Sequence, residues 1–312
     1  MKSHLKIILF GLLTIAAVVP LSAKELKVLM IGNSFSVCVG KNLPQVVKSV
    51  PGSSLILTSA QIGGCPLDKH SANLVQAEKD PSFKPYGVTV WNSKNPAKSQ
   101  TRKGNVNELL KQNQYDIVTI QQASRKSWQY ETYQPAAEEL IAYIRKHQPK
   151  AEIVIQQTWA YRTDSPNLKK WKIDQNKMYE GLRDAYAKLA EKYQLRVIPT
   201  GDAVQLFRKY TPVKYQPSKE KFESPNVPSR AGDVVGASSW RKDKKTGKEA
   251  LVTDCAHLNS DGHYMQACLW FAFLYGEPVD KVAFTPDGMD KEKAALLRKC
   301  AQEALDNYKQ VK

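Results

Sequence analysis

Short apolar runs alternate with longer stretches of helical periodicity along most of this chain. Lys27 to Ile31 is an apolar run that stops at Gly32 and predicts a buried strand. Leu55–Ser59, Ile117–Ile120, Ile153–Ile155 and Arg196–Ile198 repeat that signature and predict four more strands. Between them, Leu43–Val50, Pro135–His147 and Met178–Tyr193 carry apolar residues at helical spacing. Val88–Trp91 reads as an extended piece and Val106–Leu110 as a short helix. After a Pro-, Ser-, Gly- and Lys-rich stretch at 211–250, read as a surface excursion, Asp261–Tyr275 and Asp290–Tyr308 return to helix, with Ser260 the expected cap of the first. Strands alternating with amphipathic helices predict an α/β fold. The expected form is a three-layer α/β/α sandwich around a parallel five-stranded sheet of flavodoxin-like type.

Residues 1–23 stand outside that rhythm. Lys2 and Lys6 precede the apolar stretch Ile7–Val19, and the small Ala23 follows, which is the layout of a secretory signal peptide. The apolar part, about 13 residues, is short for a membrane span, so no stable membrane insertion is expected after cleavage. The expected location is secreted or periplasmic. Residues 24–312 are long enough for one large domain, with 211–250 as its excursion.

The net charge of +16 raises the question of nucleic acid. No zinc-finger spacing, aromatic RNA-binding signature or dense basic helix occurs, and a solvated basic surface is the expectation. Five cysteines (Cys38, Cys65, Cys255, Cys268 and Cys300) are odd in number and sparse for a stapled scaffold. No C-x-x-C spacing points to zinc, and no metal or organic cofactor is implied. Cys65 either pairs with Cys38 or is a small buried hydrophobe.

The candidate chemistry sits where the first strand ends. Ser34 follows Gly32 and Asn33 at a strand-to-helix turn, the edge at which parallel sheets carry their sites. Either Ser34 is an exposed nucleophile, or Asn33 or Ser34 merely caps a helix. A nucleophile needs a base, and His257 stands three residues after Asp254, a spacing that can set a carboxylate beside an imidazole. Asp261 and His263 form a competing acid–base pair. His147 belongs to a polar helix end.

Five blocks then fall in order: GNSFS at 32–36, IGGCPLDKH at 62–70, DIVTIQQAS at 116–124, QTWA at 157–160 and DCAHLNSDGHY at 254–264. Together they resemble the SGNH (GDSL-like) hydrolases, in particular a secreted bacterial branch with G-N-S-F in place of G-D-S-L. The resemblance implies Ser34 as nucleophile, His257 as base and Asp254 as its orienting acid. It implies an oxyanion hole formed by Ser34, Gly64 and Gln121. Gln121 substitutes for the Asn of a G-x-N-D motif that this chain lacks, and Gln122 is the alternative. The expected pocket holds Asn33, Gly63, His70, Gln122 and Trp159. His70 either lines it or caps a local turn, and Trp159 either stacks on a sugar ring or packs at the rim. The implied activity is hydrolysis of a small-molecule or polysaccharide ester, an acetyl group on a carbohydrate first. The other reading is a carbohydrate-binding or cell-surface protein without catalysis.

Overall fold

The computed structural model describes residues 24–243 and 245–310. The expected signal peptide, 1–23, lies outside the described residues. The strands are β1 (Lys24–Gly32), β2 (Ser53–Gln61), β3 (Tyr86–Asn92), β4 (Ser99–Gly104), β5 (Ile117–Ile120), β6 (Glu152–Gln156), β7 (Arg196–Ile198), β8 (Val235–Lys242) and β9 (Glu249–Leu258). The helices are α1 (Ser34–Val37), α2 (Leu43–Lys48), α3 (Leu67–Lys79), α4 (Val106–Gln112), α5 (Ala136–His147), α6 (Pro166–Trp171), α7 (Gln175–Tyr193), α8 (Thr200–Tyr210), α9 (Ser260–Tyr275) and α10 (Lys291–Asn307).

The first seven strands form one sheet in the order β4-β3-β2-β1-β5-β6-β7. Its parallel part, β2-β1-β5-β6-β7, consists of the five strands expected from the apolar runs. The sheet is nonetheless mixed, not purely parallel, because β3 and β4 add antiparallel at the β2 edge. The reason β4 escaped notice is physical. Its sequence SQTRKG is exposed at all but the last residue, so it has no apolar face. Arg102 and Lys103 on this outermost strand also guard an edge that would otherwise invite pairing.

Central strands of a parallel sheet are covered on both faces, so they read as unbroken apolar runs. Val28, Leu29, Met30 and Ile31 are all buried accordingly. Helices α3, α4 and α5 pack with one another, and α2, α8, α9 and α10 form a second group. Helix α9 is buried through most of its length, from Tyr264 to Leu274, which explains its nearly all-apolar sequence. Its cap is Asn259, not Ser260: the Asn259 side chain accepts from Asp261 N and Gly262 N. Among the described residues no helix is long and apolar enough to cross a membrane.

The excursion holds regular structure, and Cys65 follows the second of its two readings, a small buried hydrophobe. The 211–250 stretch is not irregular throughout, because β8 begins at Val235 and pairs antiparallel with β9 in a separate two-stranded sheet. All five cysteines are buried unpaired thiols, so Cys38 and Cys65 form no disulfide.

Candidate active site

The register of the sheet explains why distant segments meet. Gly32 pairs with Gln61, and Ile31 with Ile120, which in turn pairs with Ile155. The four strands therefore end at one level, and residues 33–34, 62–64, 121–124 and 157–162 emerge at one edge. Gly32 allows the sharp turn there. A Cβ on it would stand 2.5 Å from Ser36 Oγ and 3.3 Å from the Gln121 side chain.

Asn33 then organises the turn. Its Oδ1 accepts from Phe35 N at 3.0 Å and from Gln121 Nε2 at 2.8 Å, while its Nδ2 donates to Cys65 O at 3.1 Å. One buried side chain thus ties the ends of β1, β2 and β5 together. Gln156 Nε2 adds a bond to Phe35 O at 2.8 Å. Ser34 is left as the first residue of α1, half-buried, with its hydroxyl facing outward to a partner from the far end of the chain.

That partner is His257, whose Nε2 lies 2.7 Å from Ser34 Oγ. His257 Nδ1 lies 2.7 Å from Asp254 Oδ2. The other carboxylate oxygen of Asp254 accepts from Ala256 N at 2.8 Å and His257 N at 3.0 Å, closing a tight turn at the end of β9. Burial alone would raise the Asp254 carboxyl. The bonds from the His257 ring, His257 N and Ala256 N outweigh it and hold the group well below the usual carboxylate range. A carboxylate fixed on Nδ1 selects the tautomer that leaves Nε2 able to accept a proton from the serine.

The competing pair does not assemble. Asp261 reaches Arg230 at 3.8 Å and Lys293 at 3.5 Å instead. His263 is pushed down to about 4, first by burial and then by Lys41 and His257. Burial also pushes Cys65 up to about 11 and Cys38 up to about 12, so neither thiol is a ready nucleophile.

An open cleft of about 320 Å³ lies over Ser34 and His257. Asn33, named above for the pocket, and Gly64, named for the oxyanion hole, both line it. Gly64 sits at φ +60°, a backbone region that favours glycine, and a Cβ there would approach Arg125 Nη1 to 3.1 Å. Neither Ser34 N nor Gly64 N has a protein acceptor among the described residues. Gly63 is exposed and does not line the cleft.

The remaining expected residues serve elsewhere. Gln121 is buried, donates one amide N–H to Asn33 Oδ1, and does not line the cleft. Gln122 is likewise buried: its Oε1 accepts from Leu67 N and its Nε2 donates to Thr132 O. His70 is fully buried against Tyr86 OH, 2.9 Å away, and burial pushes it down to about 4. Trp159 is fully buried too, so it is not a platform for a sugar. It stacks on Phe35 at 4.2 Å between ring centroids and donates its indole N–H to Ala256 O at 2.8 Å. One ring therefore touches the neighbour of the serine and the neighbour of the histidine.

Sequence reasoning missed Ser124, Arg125, Tyr161, Asn167 and Trp171, which form the opposite wall of the cleft. Ser124 is the last residue of the third block and Tyr161 the first after the fourth, so weighing the ends of those two blocks finds both. Asn167 and Trp171 lie on α6, in a Lys-rich stretch with no strong periodicity. A larger cleft of about 520 Å³ lies beside α8 and α10, but it brings together no serine and histidine. Among the described residues no cluster of three or more His, Cys, Asp or Glu could hold a metal ion.

Comparison with known proteins bears on the family. The model of a domain of unknown function, DUF4886, matches residues 27–217. A DUF4886 family protein from Bacteroides uniformis is 26% identical, with a TM-score of 0.73 over 92% of this chain and 98% of that one. Weaker likenesses reach a candidate SGNH hydrolase from Slackia heliotrinireducens (17% identity, TM-score 0.44, 78% and 96% covered). A candidate GDSL-like lipase from Parabacteroides merdae stands at the same level (14%, 0.44, 80% and 95%). Scores that low carry no argument about chemistry. No curated protein matches the chain. What the match establishes is thus a family without an assigned activity, not a named branch of the SGNH hydrolases. The chain belongs to the DUF4886 family.

Proposed function

We propose that this protein is an SGNH-type serine hydrolase acting on carboxylic esters. The observation that supports the reading most is the unbroken line from Ser34 Oγ through the His257 ring to Asp254, with both contacts at 2.7 Å. In the proposed reaction Ser34 Oγ attacks the ester carbonyl while His257 Nε2 takes its proton. The imidazolium that results is stabilised by Asp254. The oxyanion accepts from Ser34 N–H and Gly64 N–H. Collapse expels the alcohol, which takes the proton from His257 and leaves an acyl-serine. Water, deprotonated by His257, then releases the acid and restores the serine. The substrate class, an acyl group on a carbohydrate, follows from the SGNH-like blocks, and export from the leader-like residues 1–23.

One observation favours a second reading. Gln121, expected as a third oxyanion donor, is buried and does not line the cleft, which leaves the backbone N–H groups of Ser34 and Gly64. A carbohydrate-binding protein that has lost turnover on the same frame fits that economy. A panel of aryl and sugar acetates separates the two. The hydrolase reading expects turnover that falls at least 10³-fold in Ser34→Ala. Saccharide binding with no Ser34-dependent turnover on any ester favours the second.

A further inference from the structure

Among the described residues Arg125 is the one full-time cation lining the cleft, and no carboxylate lines it. It lies in the turn after β5, exposed, with Nη1 donating to Gly64 O at 3.0 Å. No carboxylate lines the cleft, and no ion pair involves Arg125 among the described residues. Its neighbour Lys126 does find an acid, Asp68, at 3.1 Å, so the surroundings are not simply short of carboxylates. Asp254, the nearest acid in the site, is held behind the His257 ring. A guanidinium has five N–H groups in a planar fork, and one bond to Gly64 O leaves most of the fork open. The wall beside it is aromatic. Tyr161 and Trp171 both line the cleft with ring centroids 5.7 Å apart, and Tyr161 OH lies 2.7 Å from Ser124 Oγ.

We infer that the cleft selects esters carrying a carboxylate close to the scissile bond, held by the open fork of Arg125 while the ring that bears it packs on the half-buried Trp171, which the buried Tyr161 backs. The inference deepens the esterase reading and rests on it for turnover. The chemistry is direct. A planar guanidinium matches a planar carboxylate with two parallel, charge-assisted bonds, which an ammonium cannot reproduce. A flat ring lies well against aromatic side chains. A net charge of +16 adds a long-range pull on acidic substrates in the same direction. Arg125 is thereby a specificity residue of the substrate pocket, not a member of the proton-transfer line.

A matched pair of substrates tests this: 4-acetoxybenzoate and its neutral analogue 4-acetoxybenzamide, with the wild-type protein, Arg125→Gln and Arg125→Lys. The wild type is expected to favour the carboxylate at least tenfold in kcat/KM, chiefly through KM. Arg125→Gln is expected to bring the ratio to within about twofold of one, and Arg125→Lys to keep part of it. Loss of the bond to Gly64 O affects both esters alike, so the ratio isolates the anion contact. A wild type without preference, or a preference that survives Arg125→Gln, overturns the inference. Should neither ester turn over, the esterase reading is decided separately by the panel of aryl and sugar acetates. Calorimetry of 4-acetoxybenzoate binding to Ser34→Ala then decides the present point. Binding weakened at least tenfold by added Arg125→Gln upholds it, and equal or undetectable binding overturns it.

Discussion

Asn33 and Asp254 do comparable work at opposite ends of the chain, each fixing a member of the proposed proton-transfer line by bonding to the backbone around it. Asn33 holds Phe35 N, Cys65 O and the Gln121 amide, so the serine turn cannot shift without breaking three bonds. Asp254 binds two backbone N–H groups and one ring nitrogen of His257. Asp254→Asn keeps the shape but favours the wrong imidazole tautomer, and kcat is expected to fall about 10³- to 10⁴-fold with KM little changed. The same residue gives a pH signature. Its carboxyl is held below the ordinary value in the folded protein, so the unfolded chain takes up its proton first as pH falls. The stability it contributes is therefore full above about pH 4 and is lost only as pH drops below that ordinary carboxylate value. Denaturation of wild type and Asp254→Asn should show a difference that is still present at about pH 5 and shrinks below about pH 4. A difference that shrinks already near pH 6 contradicts the assignment.

Among the elements, β6 and the loop after it join the two halves of the site. Beyond Gln156 the chain runs past the serine turn and clamps β9, with Trp159 on Ala256 O and Arg162 N on Cys255 O at 2.9 Å. Arg162 is itself buried and bonded to Asp164 through two nitrogens, which stiffens the loop. Trp159→Phe keeps a ring against Phe35 but deletes the bond to Ala256 O. Leaving a part-buried carbonyl unpaired costs about 1–3 kcal/mol, and the shift of His257 is expected to lower kcat roughly 10- to 100-fold. Denaturant midpoints and ester kinetics check both. A loss of stability with kcat intact reduces the indole to packing alone.

How much of this was legible follows from the same physics. The five parallel strands announce themselves because burial on both faces forces unbroken apolar runs. The edge strand β4 and the hairpin β8–β9 are largely exposed and leave no such trace. Ser34, His257 and Asp254 are marked by residue type and spacing. The fates of Gln121, His70 and Trp159 were not, since a buried partner is a property of three dimensions. Arg125 was passed over because an arginine in a basic sequence has no distinguishing neighbours until its missing counter-ion is visible.

At the scale of the whole molecule, the fold brings together two groups 223 residues apart in sequence. β1 starts the sheet at its centre, and β9 returns outside it, so the site closes only when the chain beyond 250 has docked across the edge where β1, β2, β5 and β6 end. The account depends on that meeting making Ser34 a nucleophile, and a fluorophosphonate probe tests it most directly. Intact protein is treated with the probe, digested and mapped by mass spectrometry, beside Ser34→Ala and His257→Ala. The expected result is one labelled peptide containing Ser34, absent from Ser34→Ala and strongly slowed in His257→Ala. Labelling at another serine, or labelling of Ser34 at an undiminished rate without His257, contradicts the account.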